Sequence, residues 1–336
     1  MIKTKQIFIV GSSRSGTTMM GRILGLNSNV FTFRELHFFG KLWTNNSNQK
    51  LIRKDQIDLL SRLLCIQKNG IFNQNNYSEF NSKSSQLLNS EVNNPLEIYR
   101  FFLERITEEN NAKIACEQTP QNLYYIEEIL QFFPDSKVIN LIRDQRDVLF
   151  SQKNKWKRRF LGAKSIPFFE VLRSYINYHP ILTSRVWNSS MSWTMKYIHH
   201  PRVKIVKFED LLNNPENIVK DICNFLAIDF KHEMLEVPII GSSLENDSKS
   251  ILMIDNSKIN RWKSGGLSDS EIYLSQKFSS TMMDEFGYEK KKFRIPPLSV
   301  IFYLISFIFK FVLAFLFNIH RMGNIKEIIR KRFFIK

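Results

Sequence analysis

Ile7-Phe8-Ile9-Val10-Gly11-Ser12-Ser13-Arg14-Ser15-Gly16-Thr17-Thr18 passes from an apolar run, through a glycine-bounded polar loop, into a helical pattern near 17–26. The apolar run reads as a buried strand. The loop after it is built like a phosphate cradle. Glycines let the backbone fold tightly, its N–H groups turn inward, and the start of the following helix favours an anion. A Walker A loop places Lys and then Ser or Thr after its second glycine. Here Thr17 stands in the lysine position, and Arg14 brings a cation earlier in the loop. An ordinary glycine turn capped by Ser or Thr accounts for the same letters, so the loop alone supports only a phosphate site.

Outward from this corner, short apolar runs alternate with helical patterns. Strands are expected near 113–116, over Lys137–Ile142 and over Val203–Phe208, with helices near 122–132, after Arg146 and near 215–226. Residues 168–200 read as largely helical, with Tyr175, Trp187, Trp193 and Tyr197 giving core faces. This order predicts an α/β fold in which helices flank a parallel sheet and ligands bind at the strands' carboxyl ends. Residues 41–95 are rich in Asn, Ser, Gln and Lys around one amphipathic helix near 51–66. They read as an insertion over the active-site face or as a solvated spacer.

With 336 residues, 43% hydrophobic and 24% charged, the chain suits one large catalytic domain, expected over 1–289, and a C-terminal appendage over 290–336. Cys65, Cys116 and Cys223 lie far apart and form no Cys/His cluster, so neither a disulfide scaffold nor a metal site is expected. The net charge of +16 is uneven: residues 290–336 hold 11 Lys/Arg against the single acid Glu327. Without an RNA-binding signature, this gives no nucleic-acid partner. Lys3 and Lys5 precede an apolar run too short for a signal-peptide core, which points to the cytoplasm.

Two further stretches carry a family resemblance. Arg34-Glu35-Leu36-His37-Phe38-Phe39 places a carboxylate 21 residues after Arg14, and Val138-Ile139-Asn140-Leu141-Ile142-Arg143 is followed by Ser151 eight residues beyond its arginine. Together with the Arg-Ser-Gly-Thr-Thr loop they resemble sulfotransferases that use 3′-phosphoadenosine-5′-phosphosulfate (PAPS). The loop and the Glu35 spacing are similar to the tyrosine-type enzymes and bacterial relatives. The Glu-x-His-Phe-Phe element is similar to the heparan-sulfate type. The resemblance implies a P-loop-like fold in which Ser13, Arg14, Ser15, Gly16, Thr17 and Thr18 hold the 5′-phosphosulfate. It implies that Arg143 and Ser151 hold the 3′-phosphate, with Glu35 as general base and His37 as the competing base. A single phosphosulfate needs less charge than a triphosphate, and an arginine fork holds it bidentately.

Lesser matches extend over most of residues 5–288. Asn260-Arg261-Trp262-Lys263-Ser264-Gly265-Gly266 resembles the loop that closes over the nucleotide, which makes Arg261 and Lys263 phosphate contacts; a solvated basic turn fits them equally. Phe208-Glu209-Asp210-Leu211 carries Phe where the family usually has Tyr. Glu117-Gln118-Thr119-Pro120 lacks the lysine of a similar Glu-Lys-Thr-Pro element, which removes a cation from the donor's sulfonate. For Arg146 the expected place is the surface, beside Asp144 as a helix cap.

Residues 298–319 are nearly continuous apolar sequence, broken by Ser299, Ser306, Lys310 and Asn318. The length suits a membrane span, yet a central lysine is costly there. Ser299, Ser306 and Lys310 fall near one helical face, and both flanks are basic, so a helix lying in an anionic membrane's cytoplasmic interface is expected. A helix packed on the catalytic domain is the plainer alternative. The function expected is sulfuryl transfer from PAPS to a hydroxyl on a carbohydrate or glycolipid, with no metal. A tyrosine-type sulfotransferase, a P-loop kinase and a non-catalytic nucleotide-binding module are the alternatives.

Overall fold

A computed structural model describes residues 5–44, 49–88, 92–239, 248–252, 254, 256–294, 296–319, 327, 330 and 331. The chain begins with β1 (Lys5–Gly11), α1 (Thr17–Gly25) and β2 (Val30–Thr32). Three helices follow, α2 (Arg53–Asn69), α3 (Asn81–Leu87) and α4 (Pro95–Glu109), and lead into β3 (Ile114–Glu117). Next come α5 (Ile126–Phe132), β4 (Lys137–Ile142), α6 (Gln145–Lys153), a 3-10 turn over Lys155–Leu161, α7 (Phe168–Ile176) and α8 (Pro180–Lys196). β5 (Val203–Lys207) runs into α9 (Phe208–Asn213) and α10 (Pro215–Leu226). A short antiparallel pair, β6 (Pro238–Ile239) and β7 (Ser248–Leu252), precedes α11 (Asp269–Glu285) and α12 (Val300–Asn318).

The sheet order is β2-β3-β1-β4-β5, with every pairing parallel. The expected α/β architecture is therefore present. Chain order reverses about β1, which opens a crevice at the carboxyl ends of β1 and β4. Gly11 pairs with Leu141 at that level. A Cβ at Gly11, where φ is +151°, would lie 2.3 Å from the Leu141 carbonyl oxygen, so only glycine allows the two strand ends this close.

Alternation along β1 gives the two cores. Ile7 and Ile9 join Met20, Ile23, Val219 and Ile222 on one face. Phe8 and Val10 join the other cluster, with Leu60 and Leu63 of α2 and Tyr99 of α4. The polar-rich 41–95 stretch thus contributes a helix to the main core. Arg34 donates its N–H to the Gln67 side chain at 3.0 Å, so α2 backs the segment that carries Glu35.

Trp187 and Trp193 are buried as expected, but Tyr175 is 58% exposed. α7 turns that face outward because its inner edge is filled by the Arg173–Glu170 ion pair at 2.6 Å and by α12. Arg146 is also corrected, since it is buried rather than at the surface. Its charge is compensated by Asp144 at 2.6 Å, Gln276 at 3.1 Å and the Trp262 ring, whose centroid lies 3.9 Å away.

α12 lies along the α/β domain. Val300, Tyr303, Phe307 and Ala314 face inward at helical spacing. Ser299 bonds Ser270 near its start, and Asn318 accepts from Arg173 at 2.8 Å at its end. Lys310 is half-buried and lies over the Tyr175 ring at 5.0 Å, against α7. The polar face expected to meet lipid headgroups is therefore turned to the protein, while Phe302, Ile305, Ile308, Phe309 and Val312 are exposed.

Candidate active site

Three strand ends bring the sequence-predicted residues together. After β1, Arg14 and Gly16 take left-handed φ values of 73° and 92°, the kind of backbone that turns successive N–H groups to one side. Only glycine fits at 16, because a Cβ there would lie 2.4 Å from the Phe208 ring. Arg14 donates its Nε–H to Ser151 Oγ at 2.8 Å, and its carbonyl accepts from Arg143 Nη1 at 3.2 Å. Ser13 accepts from Gln152 at 3.2 Å. Thr17 is buried at the first position of α1, beside Thr18.

Arg143 also donates to the Lys258 carbonyl at 2.7 Å and stacks 4.5 Å from the Phe208 ring centroid. Phe208 thus supports two site residues with its ring, a task that needs no hydroxyl. Glu209, beside it, accepts from the Asp144 N–H at 2.8 Å and fixes the end of β4. Buried Arg143 Nε and Ser15 Oγ have no hydrogen-bond partner. Unpartnered donors at the mouth of an anion cradle suit further anionic oxygens.

The second strand end positions the carboxylate. Beyond β2 the chain sends Leu36 and Phe38 into the core, while Glu35 keeps its carboxylate partly exposed beside His37. Phe38 stacks on Tyr99 at 3.9 Å. Buried Glu117, at the end of β3, accepts the Leu36 N–H at 3.3 Å, and Thr119 accepts the His37 N–H at 3.2 Å. These bonds hold His37 at φ 50°, a conformation unusual for a non-glycine residue.

His37 Nε2 lies 3.3 Å from the Glu35 carboxylate, whose side chain is 39% exposed. Burial pushes Glu35 upward, but the His37 bond and the charges of His37, Lys155 and Arg14 outweigh it, so its pKa lies below the usual value. Burial, with Lys41 and Lys155, lowers His37 despite Glu35. A neutral His37 therefore donates to an ionised Glu35 near neutral pH. For Arg14, burial and the nearby Arg158 and Arg143 all disfavour the cation. Several cations crowd one spot, an arrangement that a bound polyanion relieves.

The late loop is held by Asp147, which accepts the Asn260 N–H at 2.9 Å and the Trp262 N–H at 3.0 Å. Arg261 lies near enough to Arg143 for its charge to act there. Lys263 is exposed, with its ammonium 5.5 Å from the Trp262 ring centroid. The structure therefore brings Arg261, but not Lys263, toward the cradle.

The sulfotransferase family profile matches residues 6–232, well over half of the chain. The chain belongs to the sulfotransferase family. Two solved sulfotransferase domains share the fold, each with a TM-score of 0.53. The domain from the curacin biosynthetic pathway is 19% identical, and the comparison covers 85% of this chain and 98% of that one. The domain from the Synechococcus PCC 7002 olefin synthase is 17% identical, with 85% and 96% covered. A curated but uncharacterised Aquifex aeolicus (strain VF5) protein is 22% identical over 268 residues, or 77% of this chain. The chain spans 30% of the length of that relative.

One further residue of the candidate site has no mark in the sequence. Lys155, at the start of the 3-10 turn after α6, stands near Glu35 and Arg14. Burial, Arg14, Arg173 and Arg158 bring its pKa down to about 8 against the pull of Glu35. Four residues beyond Ser151, it is one cation in the run Lys153-Asn154-Lys155-Trp156-Lys157-Arg158-Arg159, and the letters do not show which one turns inward.

Proposed function

We propose that this sulfotransferase moves a sulfuryl group from PAPS to a hydroxyl on a carbohydrate or glycolipid, with Glu35 as general base. The observation that carries the reading is the juxtaposition of a carboxylate held below its usual pKa with the Arg14–Ser151–Arg143 knot. The acceptor oxygen attacks sulfur while its proton passes to Glu35. The bond from sulfur to the bridging oxygen of the 5′-phosphate breaks, and 3′-phosphoadenosine-5′-phosphate (PAP) leaves. Such transfers are mainly positioning and electrostatics. Arg14, Ser13, Ser15, Gly16, Thr17 and Thr18 cradle the phosphosulfate, while Arg143 and Ser151, helped by Arg261, take the 3′-phosphate.

The two lysines missing from the sequence pattern have a substitute. Lys155 approaches Arg14 and Glu35 from another element and supplies charge to the sulfonate and the leaving oxygen. His37 orients Glu35 by donating to it. The Glu-Leu-His-Phe-Phe element supports a sugar hydroxyl, and the exposed apolar face of α12 supports work at the cytoplasmic face of a membrane.

Thermal unfolding with added nucleotides tests the donor. PAP is expected to raise the melting temperature, while ATP and GTP leave it in place. Equal protection by ATP would return the chain to the kinase reading. Glu35→Gln is expected to lower turnover by about 10²–10⁴; near-normal turnover in that variant removes the base from Glu35.

A further inference from the structure

Between Asp147 and Glu170 the chain has six cations, Lys153, Lys155, Lys157, Arg158, Arg159 and Lys164, and no acid. The same segment carries Trp156, Phe160, Phe168 and Phe169. Phe160 is 62% exposed and Phe168 67%, and Leu172 and Tyr175 extend this apolar face along α7. α7 packs on the 155–161 turn and on α12. Two groups of ring contacts lie along this surface. Phe160 and Tyr175 flank Trp156 at 6.3 and 6.4 Å, and Phe169 stacks on Phe317 of α12 at 5.6 Å. The outward face of α12, where Phe309 is 69% exposed, completes it.

Both ends of α12 are tied to the same side of the domain, through Ser270 and through Arg173. Beyond it, Lys331 is back against the domain, donating to the Tyr124 carbonyl at 2.9 Å and pairing with Glu128. A spanning helix would carry the chain across the bilayer after Asn318, whereas this one returns it. The helix therefore runs along the domain surface, with one face on the protein and the other exposed. Long exposed rings edged by an acid-free basic run are complementary to an anionic lipid interface, where aromatic residues and lysines or arginines both settle. A contiguous apolar face of this extent is uncommon on a soluble monomer.

The basic edge of this face is also the edge of the active site. Lys155 and Arg158 belong to the run, and both act electrostatically on Arg14. Arg173, which bonds Asn318 of α12, acts on Lys155. We infer that the exposed faces of α7 and α12, with the basic-aromatic 153–164 segment, dock flat on an anionic bilayer and set the active-site mouth at the headgroup layer, so that the acceptor hydroxyl is carried by a membrane lipid. This rests on the sulfuryl-transfer reading and names the acceptor's physical class within it.

The full chain is floated with vesicles of phosphatidylcholine alone and of phosphatidylcholine mixed with phosphatidylglycerol. Binding is expected to the mixed vesicles and to weaken with salt. Phe168→Glu with Leu172→Glu on α7, and separately Ile305→Glu with Phe309→Glu on α12, are each expected to weaken it about tenfold or more. PAP is expected to shift the melting temperature of both variants as it does the parent's, which shows that they are folded and keep the donor site. If the parent ignores anionic vesicles, or self-associates through this face instead, the inference is overturned; so it is if the α7 pair binds like the parent. In the second arm, labelled PAPS is incubated with a total lipid extract and with water-soluble glycans. Label in the organic phase is expected, and label only in the aqueous glycans overturns the lipid acceptor. Loss of PAP protection in the parent instead overturns the sulfuryl-transfer reading and leaves the vesicle result standing.

Discussion

The proposed donor end and the proposed acceptor end of the site are built in opposite ways. Around the donor, Arg14, Ser151, Arg143, Phe208 and the Lys258 carbonyl come from separate stretches of chain and lock one another at distances from 2.7 to 4.5 Å. The geometry is set before any ligand arrives, at the cost of placing arginines close to each other. At the acceptor end, Glu35 is 39% exposed and lies 3.3 Å from His37; against burial, the His37 bond and then the charges of His37, Lys155 and Arg14 hold its pKa below the usual value. In the proposed reaction the donor is held by shape, whereas the acceptor's proton is managed by a hydrogen bond and nearby charge.

Separating kinetic constants puts this contrast at risk. Arg143→Ala removes charge-assisted contacts from the donor end and is expected to raise the KM for PAPS about 10- to 100-fold. Glu35→Gln is expected to act on kcat by about 10²–10⁴ and leave the KM for PAPS nearly unchanged. Initial rates over a matrix of PAPS concentrations measure both. If Glu35→Gln raised the KM for PAPS as much as Arg143→Ala does, the two ends would be one unit.

The donor end was the more legible in the sequence for a physical reason. An apolar strand, a glycine-bounded turn and a helix start are adjacent in the chain, so Gly11 to Thr18 announces its local geometry, while Arg143 and Ser151 add a strand end and a helical spacing to the family resemblance. Glu35 was found through its spacing in a family resemblance, since a lone carboxylate near two phenylalanines has no local mark. Lys155 was hidden among equal cations, and only the turn that opens at Lys155 distinguishes it from Lys153 and Lys157. Arg146 was misplaced because its buried partners Gln276 and Trp262 lie more than a hundred residues away. Tyr175 was misplaced because helical periodicity marks an apolar face without saying whether protein or lipid covers it.

A stability measurement sharpens the contrast at the strap that carries Glu35. Burial drives Glu117 from 4.5 up to about 7, against the bonds from Thr119 and Leu36 that favour its ionised form. A carboxyl raised on folding contributes stability that is complete below pH 4.5 and is lost as pH rises through about 7. The gap corresponds to about 3 kcal/mol. Urea unfolding at a series of pH values is expected to show the parent weakening across this window and Glu117→Gln weakening less. Parallel slopes for the two proteins would mean that Glu117 stays ionised throughout, and that the strap is held by an ordinary buried carboxylate.

The smallest effect tests whether the two ends meet at Lys155. With Arg14 still present, Lys155→Met is expected to lower kcat about tenfold, less than the loss usual for removing a sole oxyanion donor. The pH profile carries the sign. Burial and neighbouring cations bring Lys155 down to about 8, so its ammonium is lost as pH rises through that value. The rate constant kcat/KM for PAPS reports the free enzyme and should fall on that alkaline limb. Bound PAPS adds negative charge, favours the ammonium, and moves the limb seen in kcat to higher pH. Lys155→Arg keeps the charge and should carry the kcat/KM limb upward as well. A limb near pH 8 that persists unchanged in Lys155→Arg assigns the titration to another group and returns Lys155 to the solvated run from which the turn singles it out.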